Sequence, residues 1–451
     1  MKVQKISGFQ HQFSFNFIEN DYESFKQRFL ESDLCKIYQA IPWDNLVKAF
    51  KLKYHSKGPD GYFDSRGKIA LMFLKHYTGV SDRKLIEQIN GNIEYQFFCG
   101  IFLGKQRLTN YKIVSQIRVE LSKKLDIEKT QQLFYNKWKK LISNPEQITV
   151  DATCYESEVR YPTNVKLLWE SINWLHNELK IISKYYKIKM MRSKYSKWKP
   201  RYISYSKMRR KTKKKRNALT RSLLLLIEKY NNELDRIEKQ YAIEMPDRYY
   251  NRRAIIKKVY RQQYDLFHKG ILPKNRIVSL SKDYVRPIVR GKEIKKVEFG
   301  AKVNKFQIDG INFIEHISFD NFNEGTRYIN TVLTAQILTK RKTRVTGADA
   351  IYATNKNRVF ATAKGILTDF KPKGKPSKYH KQKKQAASII TKERATRLEG
   401  SFGKEKEHYL LRKVKAKTEK TEILWIFFGI HTANALEIGR RMTKSKLKAS
   451  A

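Results

Sequence analysis

The chain reads as a mixed α and β protein of the α+β or α/β class: a mixed sheet with flanking helices, interrupted by a helical insertion and preceded by an all-α segment. Three observations predict this. Apolar residues recur at helical spacing through the first 140 positions. Strand-like alternation appears near Ile148 and returns only at Val297. Two heptad seams fill the space between.

Taken in order, residues 67–77 carry Ile69, Leu71, Met72, Phe73 and Leu74, a nearly all-apolar helix broken by Thr78-Gly79-Val80. Ser81 is placed as an N-cap, with Asp82 favourable in the first turn. Leu85, Ile86 and Ile89 form the next apolar face, and Asn90-Gly91 ends that helix. This helix-turn-helix outline fits DNA reading, and it fits simple packing or dimerisation equally well. After Pro145, the apolar alternation of Ile148-Thr149-Val150 ends in Asp151, and the stretch 145–160, with Glu156 and Glu158 following Asp151, is expected as the first strand of a new domain. Leu168, Ile172, Leu175, Leu179, Ile182 and Tyr186 form one seam, and Leu223, Ile227, Tyr230, Leu234, Ile237 and Tyr241 the other. An antiparallel helical hairpin with a third helix around 250–268 accounts for both stripes as core.

From Val297 the alternation of Val297, Phe299, Ala301 and Val303 predicts a strand. Asp309-Gly310 predicts a type I′ hairpin turn, and Ile311, Phe313 and Ile317 the returning strand. A helix is expected at 323–340, a strand at 343–349, a helix at 355–364 and a loop at 369–385. A helix carrying Glu399 follows, with Ala395, Leu398 and Phe402 as its apolar face, then an apolar element from Ile423 to Asn434. The expected domains are 1–140 (helical, for DNA binding or dimerisation), 145–164 with 275–440 (catalytic), 165–274 (basic helical-hairpin insertion) and a basic tail at 441–451.

Lys and Arg total 94 against 43 Asp and Glu, a formal charge of +51. Such an excess implies a polyanionic partner, and nucleic acid is the commonest. The 41% hydrophobic and 12% aromatic content separates the chain from short, tailed ribosomal-type proteins. Cys35, Cys99 and Cys154 form no Cys-x-x-Cys pair, which argues against structural zinc or a disulfide framework and for a reducing cytosol. The start predicts no secretory leader. The longest apolar run, Ile423 to Ile430, is too short to span a bilayer.

The charge is densest at 192–216, with thirteen Lys or Arg and no acid. The candidate DNA contacts are Lys194, Trp198, Arg209, Arg210, Lys211, Lys213, Lys214, Lys215 and Arg216, interleaved with Tyr195, Tyr202 and Tyr205. Cations release counterions from phosphates while rings stack on bases. A solvated loop or a localisation signal is the competing reading. The candidate chemistry lies in Asp151, Asp349 and Glu399: two aspartates at strand ends and a glutamate on a helix, a ligand set suited to a pair of Mg²⁺ (or Mn²⁺) ions over a phosphodiester. Glu156, Glu158, Asp320 and Glu324 read as solvated or capping, and His431 as structural.

The joint order of several motifs resembles a bacterial insertion-sequence transposase of the Asp-Asp-Glu type, most nearly the insertion-sequence-five-like group. They are Ile41-Pro42-Trp43, the run Leu71 to Gly100, Val150-Asp151-Ala152-Thr153, Arg286 to Lys292, Glu298 to Lys302, Ala348-Asp349 with Tyr352 and Asn355, Leu398-Glu399-Gly400-Ser401-Phe402-Gly403 with Lys406, and Thr432-Ala433-Asn434. The resemblance implies a ribonuclease-H-like catalytic fold. It also implies two metal ions on Asp151, Asp349 and Glu399, and double-stranded DNA (inverted repeats and target) as partner. A homodimer or larger assembly on DNA, in the bacterial cytoplasm at the nucleoid, follows from the same likeness. Related enzymes carry a Tyr-x2-Arg-x3-Glu-x6-Lys signature. Here Glu399-x6-Lys406 fits, Lys392 stands at the Tyr position, Ala395 at the Arg position, and Arg394 or Arg397 takes over the phosphate contact. Lys392, Glu399 and Lys406, seven apart, are expected on one helical face. A nuclease of the same fold and an inactive transposase-derived DNA-binding protein are the alternatives.

Overall fold

The structure is a computed structural model that describes residues 4–5, 19–52, 62–289, 297–373 and 380–450. The motif residues Arg290-Gly291-Lys292 and the middle of the loop expected at 369–385 lie outside the described residues. The fold is α+β. It divides into two compact units: residues 1–157, 301–318 and 322–451 form the first, and 158–300 with 319–321 the second.

The first unit begins with a strand β1 (Gln4–Lys5) and six helices: α1 (Glu19–Glu31), α2 (Asp33–Ala40), α3 (Trp43–Ala49), α4 (Ser65–Thr78), α5 (Asp82–Gly91) and α6 (Ile93–Cys99). Strand β2 (Ile101–Phe102) pairs with β1, and α7 (Lys112–Ser122) and α8 (Ile127–Trp138) complete the run. Gly79 ends α4 in the left-handed region at φ 67°, and the Ser81 hydroxyl caps α5 by accepting from the Lys84 amide. Helix α4 is buried on nearly every side from Ile69 to His76, as its unbroken apolar run requires.

Strand β3 (Gln147–Ser157) opens the sheet. It lies inside the stretch 145–160 expected as a strand, and Asp151 falls within it and not at its end. The second unit follows with α9 (Asn164–Tyr185), α10 (Tyr195–Lys207), α11 (Lys213–Gln240) and α12 (Asp247–Tyr264). Its core is the predicted pair of seams: Ile172, Leu175 and Leu179 of α9 and Leu223, Ile227, Tyr230 and Leu234 of α11 are all buried, with Ile256 and Val259 of α12 against them. Strand β4 (Pro287–Val289) pairs antiparallel with the first residues of β5 (Val297–Ile308).

β5 continues in the first unit and turns into β6 (Ile311–Ser318) through Asp309 at φ 47° and Gly310 at φ 83°. Two successive positive φ values are what the Asp-Gly signal demands. A 3-10 turn and α13 (Tyr328–Thr339) lead to β7 (Val345–Ala348), α14 (Asn355–Ala363) and β8 (Leu367–Thr368). Helix α15 (His380–Glu393) runs through a π turn, Arg394–Glu399, directly into α16 (Gly400–His408). Strand β9 (Lys413–Val414) and the long helix α17 (Glu419–Ser450) finish the chain, so the basic stretch expected as a tail is helical through residue 450. The first unit's strands lie in the order β6, β5, β3, β7, β8. β7 is parallel to both β3 and β8, and β9 pairs with the far end of β3.

The N-terminal helices do not close on a core of their own. From Leu424 to Ile438 helix α17 is buried almost all round, and it serves α2, α4, α7 and β6 at once. Phe428 meets Phe73 at 4.9 Å, and His431 stacks on Phe134 at 4.9 Å. The crossing of α17 with α2 is so close that a Cβ on Gly439 would sit 2.3 Å from the Lys36 carbonyl oxygen. Residues expected to form a separate domain therefore share one core with the sheet.

Candidate active site

Parallel pairing of Val150 with Ala348 puts Asp151 and Asp349 next in register on neighbouring strands, where β7 ends and β3 continues. Asp151 is largely buried. Burial pushes its carboxyl up to about 6; the Ala152 amide and Arg394 work against this, and the like charges of Glu324 and Asp349 add to it. Asp349 is exposed and caps the 3-10 turn at 350–352, its Oδ1 accepting from the Ala350 amide at 2.7 Å.

Glu399 ends the π turn, half exposed, and Arg394 Nη1 donates to its Oε1 at 3.0 Å. An α-helix places residues four apart over one another, and a π turn adds one more residue. Arg394, five residues before Glu399, therefore occupies the place that spacing alone allots to Ala395. Of the two candidates for the phosphate contact, Arg394 faces Glu399, while Arg397 turns to Asp309 and Glu393 at 3.2 and 3.3 Å. The same turn shifts the register expected to align Lys392, Glu399 and Lys406. Lys392 is exposed, and Lys406 is partly buried with its Nζ 3.1 Å from Thr153 Oγ1. Of the expected apolar face, Leu398 is buried and Phe402 partly so, but Ala395 is exposed.

Sequence reasoning misses Asp369. This residue follows β8 with a side chain only 3% exposed, accepts from the Ala348 amide at 2.9 Å, and lies 4.0 Å from Arg394 Nε. Burial raises its carboxyl above the usual range. It thus ties the end of β8 to the end of β7 beside Asp349. Its position after a two-residue strand, with no alternation to read, leaves no local signal. Glu324, read as solvated or capping, pairs instead with Lys302 at 2.9 Å. Asp320, in the second unit, lies 3.6 Å from Arg286.

The structure thus brings Asp151 and Asp349 together and links Glu399 to Asp369 through Arg394. Among the described residues, no three Asp, Glu, His or Cys side chains stand close enough to hold a metal ion as they are. The donor chemistry where β7 ends beside β3 still suits a hard cation: two carboxylates are register neighbours there, and one is buried where its charge is costly.

In the second unit the rings of the basic segment are engaged with their own helices. Tyr195 stacks on His176 at 3.7 Å, and Tyr202 stacks on Trp169 at 4.9 Å. Tyr205 is buried, and Trp198 packs on the core with the Arg201 guanidinium 4.9 Å from its ring. Lys194, Arg209, Arg210, Lys211, Lys213, Lys214, Lys215 and Arg216 are cations on the surface, Lys213 to Arg216 forming the first turn of α11 behind its Thr212 cap.

The site thus has an acid pair on parallel strands and a glutamate on a following helical run. Residues 23–120 match the family described as Transposase domain (DUF772), and residues 347–430 the family described as Transposase DDE domain. Together the two matches indicate a transposase of the Asp-Asp-Glu insertion-sequence type. No curated protein and no solved structure matches it. The second match contains Asp349 and Glu399, and Asp151 lies outside both. Among the described residues no helix is long and apolar enough to cross a membrane.

Proposed function

We propose that the chain binds the ends of a mobile element, cuts one strand there, and joins the freed 3′-OH to target DNA. The register neighbours Asp151 and Asp349 carry this reading, because they set two carboxylates at one position on the sheet. The strand order β6, β5, β3, β7, β8, with β7 and β8 parallel, supports a ribonuclease-H-like catalytic fold. Membership in the insertion-sequence-five-like group agrees with both family matches.

Asp151, Asp349 and Glu399 would hold two Mg²⁺ (or Mn²⁺) ions, which when bound activate the attacking oxygen and stabilise the departing 3′ oxygen. Glu399 reaches that position by exchanging its partner, since Arg394 holds it in the ion pair described. Arg394, still beside Asp369, can then offer Nη1 to a phosphate oxygen; its Nε has no hydrogen-bond partner. Lys406 backs the same helix from Thr153 and adds a positive charge behind the scissile phosphate. The basic surface of α10 and α11 binds DNA along its backbone, without base reading. Two ends require at least two copies, so the working form on DNA is a homodimer or larger, at the nucleoid.

The test uses a pre-cut end bearing a 3′-OH together with a target duplex and Mg²⁺. Joined product is expected. Cut product alone assigns the chain to the nucleases instead, and binding without either leaves only a DNA-binding protein.

A further inference from the structure

The first unit contains an ionic cluster that the proposed chemistry does not use. Lys305 of β5 is completely buried, and its Nζ donates to both carboxylate oxygens of Glu405 at 2.7 Å. Asn312 of β6 donates to Glu405 Oε1 at 2.9 Å, and the Tyr155 hydroxyl of β3 donates to Oε2. The Lys305 ammonium also lies 4.4 Å from the Phe402 ring centre. Asn434 of α17 locks Asn312 from behind, accepting from its amide at 3.0 Å and donating to its carbonyl at 2.7 Å. Three neighbouring strands and α17 thus grip one carboxylate on α16.

A buried ion pair is a poor way to gain stability. Desolvation offsets most of the attraction, and a well-packed apolar pair does as well or better. What it supplies is direction, because donors from Lys305, Asn312 and Tyr155 that converge on both oxygens of Glu405 fix an angle that hydrophobic packing leaves loose. The direction bears on Glu399. Glu405 follows it by six positions on the same helical run. The network also holds the chain on both sides of Glu399: Gln307 Nε2 donates to the Arg397 carbonyl at 3.4 Å and to Asn312 Oδ1 at 2.9 Å, and the Ser401 hydroxyl lies 3.4 Å from Asn312 Oδ1. A π turn is weakly determined by its own backbone, so its geometry needs such support.

We infer that the Lys305–Glu405 pair, with Tyr155 and Asn312, is the positioning device that orients Glu399 for catalysis. This rests on the proposed role of Glu399. None of the four touches DNA or metal; they act through the π turn and α16.

The test compares the full chain with Lys305→Met/Glu405→Gln, which removes both charges together and leaves no unpaired ion, and with Tyr155→Phe. Each is assayed on a duplex made from the inverted repeats bracketing the gene, across a Mg²⁺ series. The double variant is expected to bind the duplex as tightly as the parent. Its cleavage rate should fall about 10–100-fold, and its half-saturating Mg²⁺ should rise, as when the residues that orient a metal ligand are removed. Tyr155→Phe should slow cleavage about 3–10-fold, and it decides the matter if the double variant does not fold. Cleavage and Mg²⁺ dependence within twofold of the parent in a folded double variant, or in Tyr155→Phe, overturn the inference. Glu399→Gln separates the two layers. If it is inactive while the cluster variants are normal, only the positioning role fails; if it cleaves at the parent rate, the assignment of Glu399 itself fails.

Discussion

The two units are built by opposite routes. In the second, α9, α11 and α12 follow one another along the chain and pack through the very heptad stripes that define them. In the first, the contacts that close the core and the sheet join distant positions. Trp138 donates to the Ala40 carbonyl at 2.6 Å, His76 Nδ1 lies 3.0 Å from the Tyr409 carbonyl, and Asp151 meets Asp349 across the sheet. Local packing can be written in a local pattern. A core assembled over hundreds of positions must close long loops before its side chains meet, and its pattern shows only a series of apolar stretches. The difference also separates the chemistry: the first unit holds the acids, and the second holds the densest positive charge.

The sharpest way to break this division is Asp151→Asn. Cleavage should fall about 10³-fold or more because metal-held charge stabilisation is removed, while a gel-shift assay shows end binding nearly unchanged. Surviving cleavage would move the active site elsewhere. Next in size is the shared core. Phe427→Ala on α17 should cost about 3–5 kcal/mol by opening a cavity in the first unit, read as a lowered denaturation midpoint. The N-terminal helices and the sheet should unfold in one transition, since both lean on α17.

Acid should act on the first unit as well. His76 and His431 are wholly buried there, and burial lowers both imidazoles from 6.5 to about 3. Lys75 and Arg118 around His76, and Lys305 near His431, push the same way, while Asp82 and the Tyr409 carbonyl oppose it at His76. The unfolded chain thus binds protons that the folded chain refuses. Stability is complete above about pH 6.5 and falls by about 1.4 kcal/mol per pH unit per histidine as the pH drops toward 3. Urea titrations at pH 7, 5.5 and 4.5 measure it, and His431→Phe should flatten the slope.

For the second unit the effects are milder. Replacing Lys213, Lys214, Lys215 and Arg216 with Ala should weaken duplex binding and reduce its salt slope by about 0.9 for each phosphate no longer neutralised. An unchanged slope would place the DNA surface elsewhere. Thr212→Ala, which removes the α11 N-cap, should cost only about 1 kcal/mol and leave cleavage by the folded chain intact.

Where the sequence can be read and where it cannot follows the same line. The hairpin at Asp309-Gly310, the Ser81 cap, the two seams and the strand before Asp349 are all legible, because each depends on residues within a turn or two of one another. The partner of the second half of β3 is not. That half pairs with β9, more than 250 positions away, and nothing local names the partner. Nor is the role of the rings at Tyr195 and Tyr202. Aromatic residues among cations look alike whether they meet bases or Trp169 and His176, and only the packing of α10 distinguishes the two.

Composition and spacing by themselves determined the large positive charge, the heptad core of the helical insertion and the local elements that carry Asp151, Asp349 and Glu399. Those are properties of residue type and short-range periodicity. Tertiary structure alone decided that Arg394 and not Ala395 faces Glu399, that Asp369 braces the ends of β7 and β8, and that Lys305 and Glu405 meet in the interior. A π turn inserts one residue without altering composition, and a buried ion pair forms only where the fold has already excluded water.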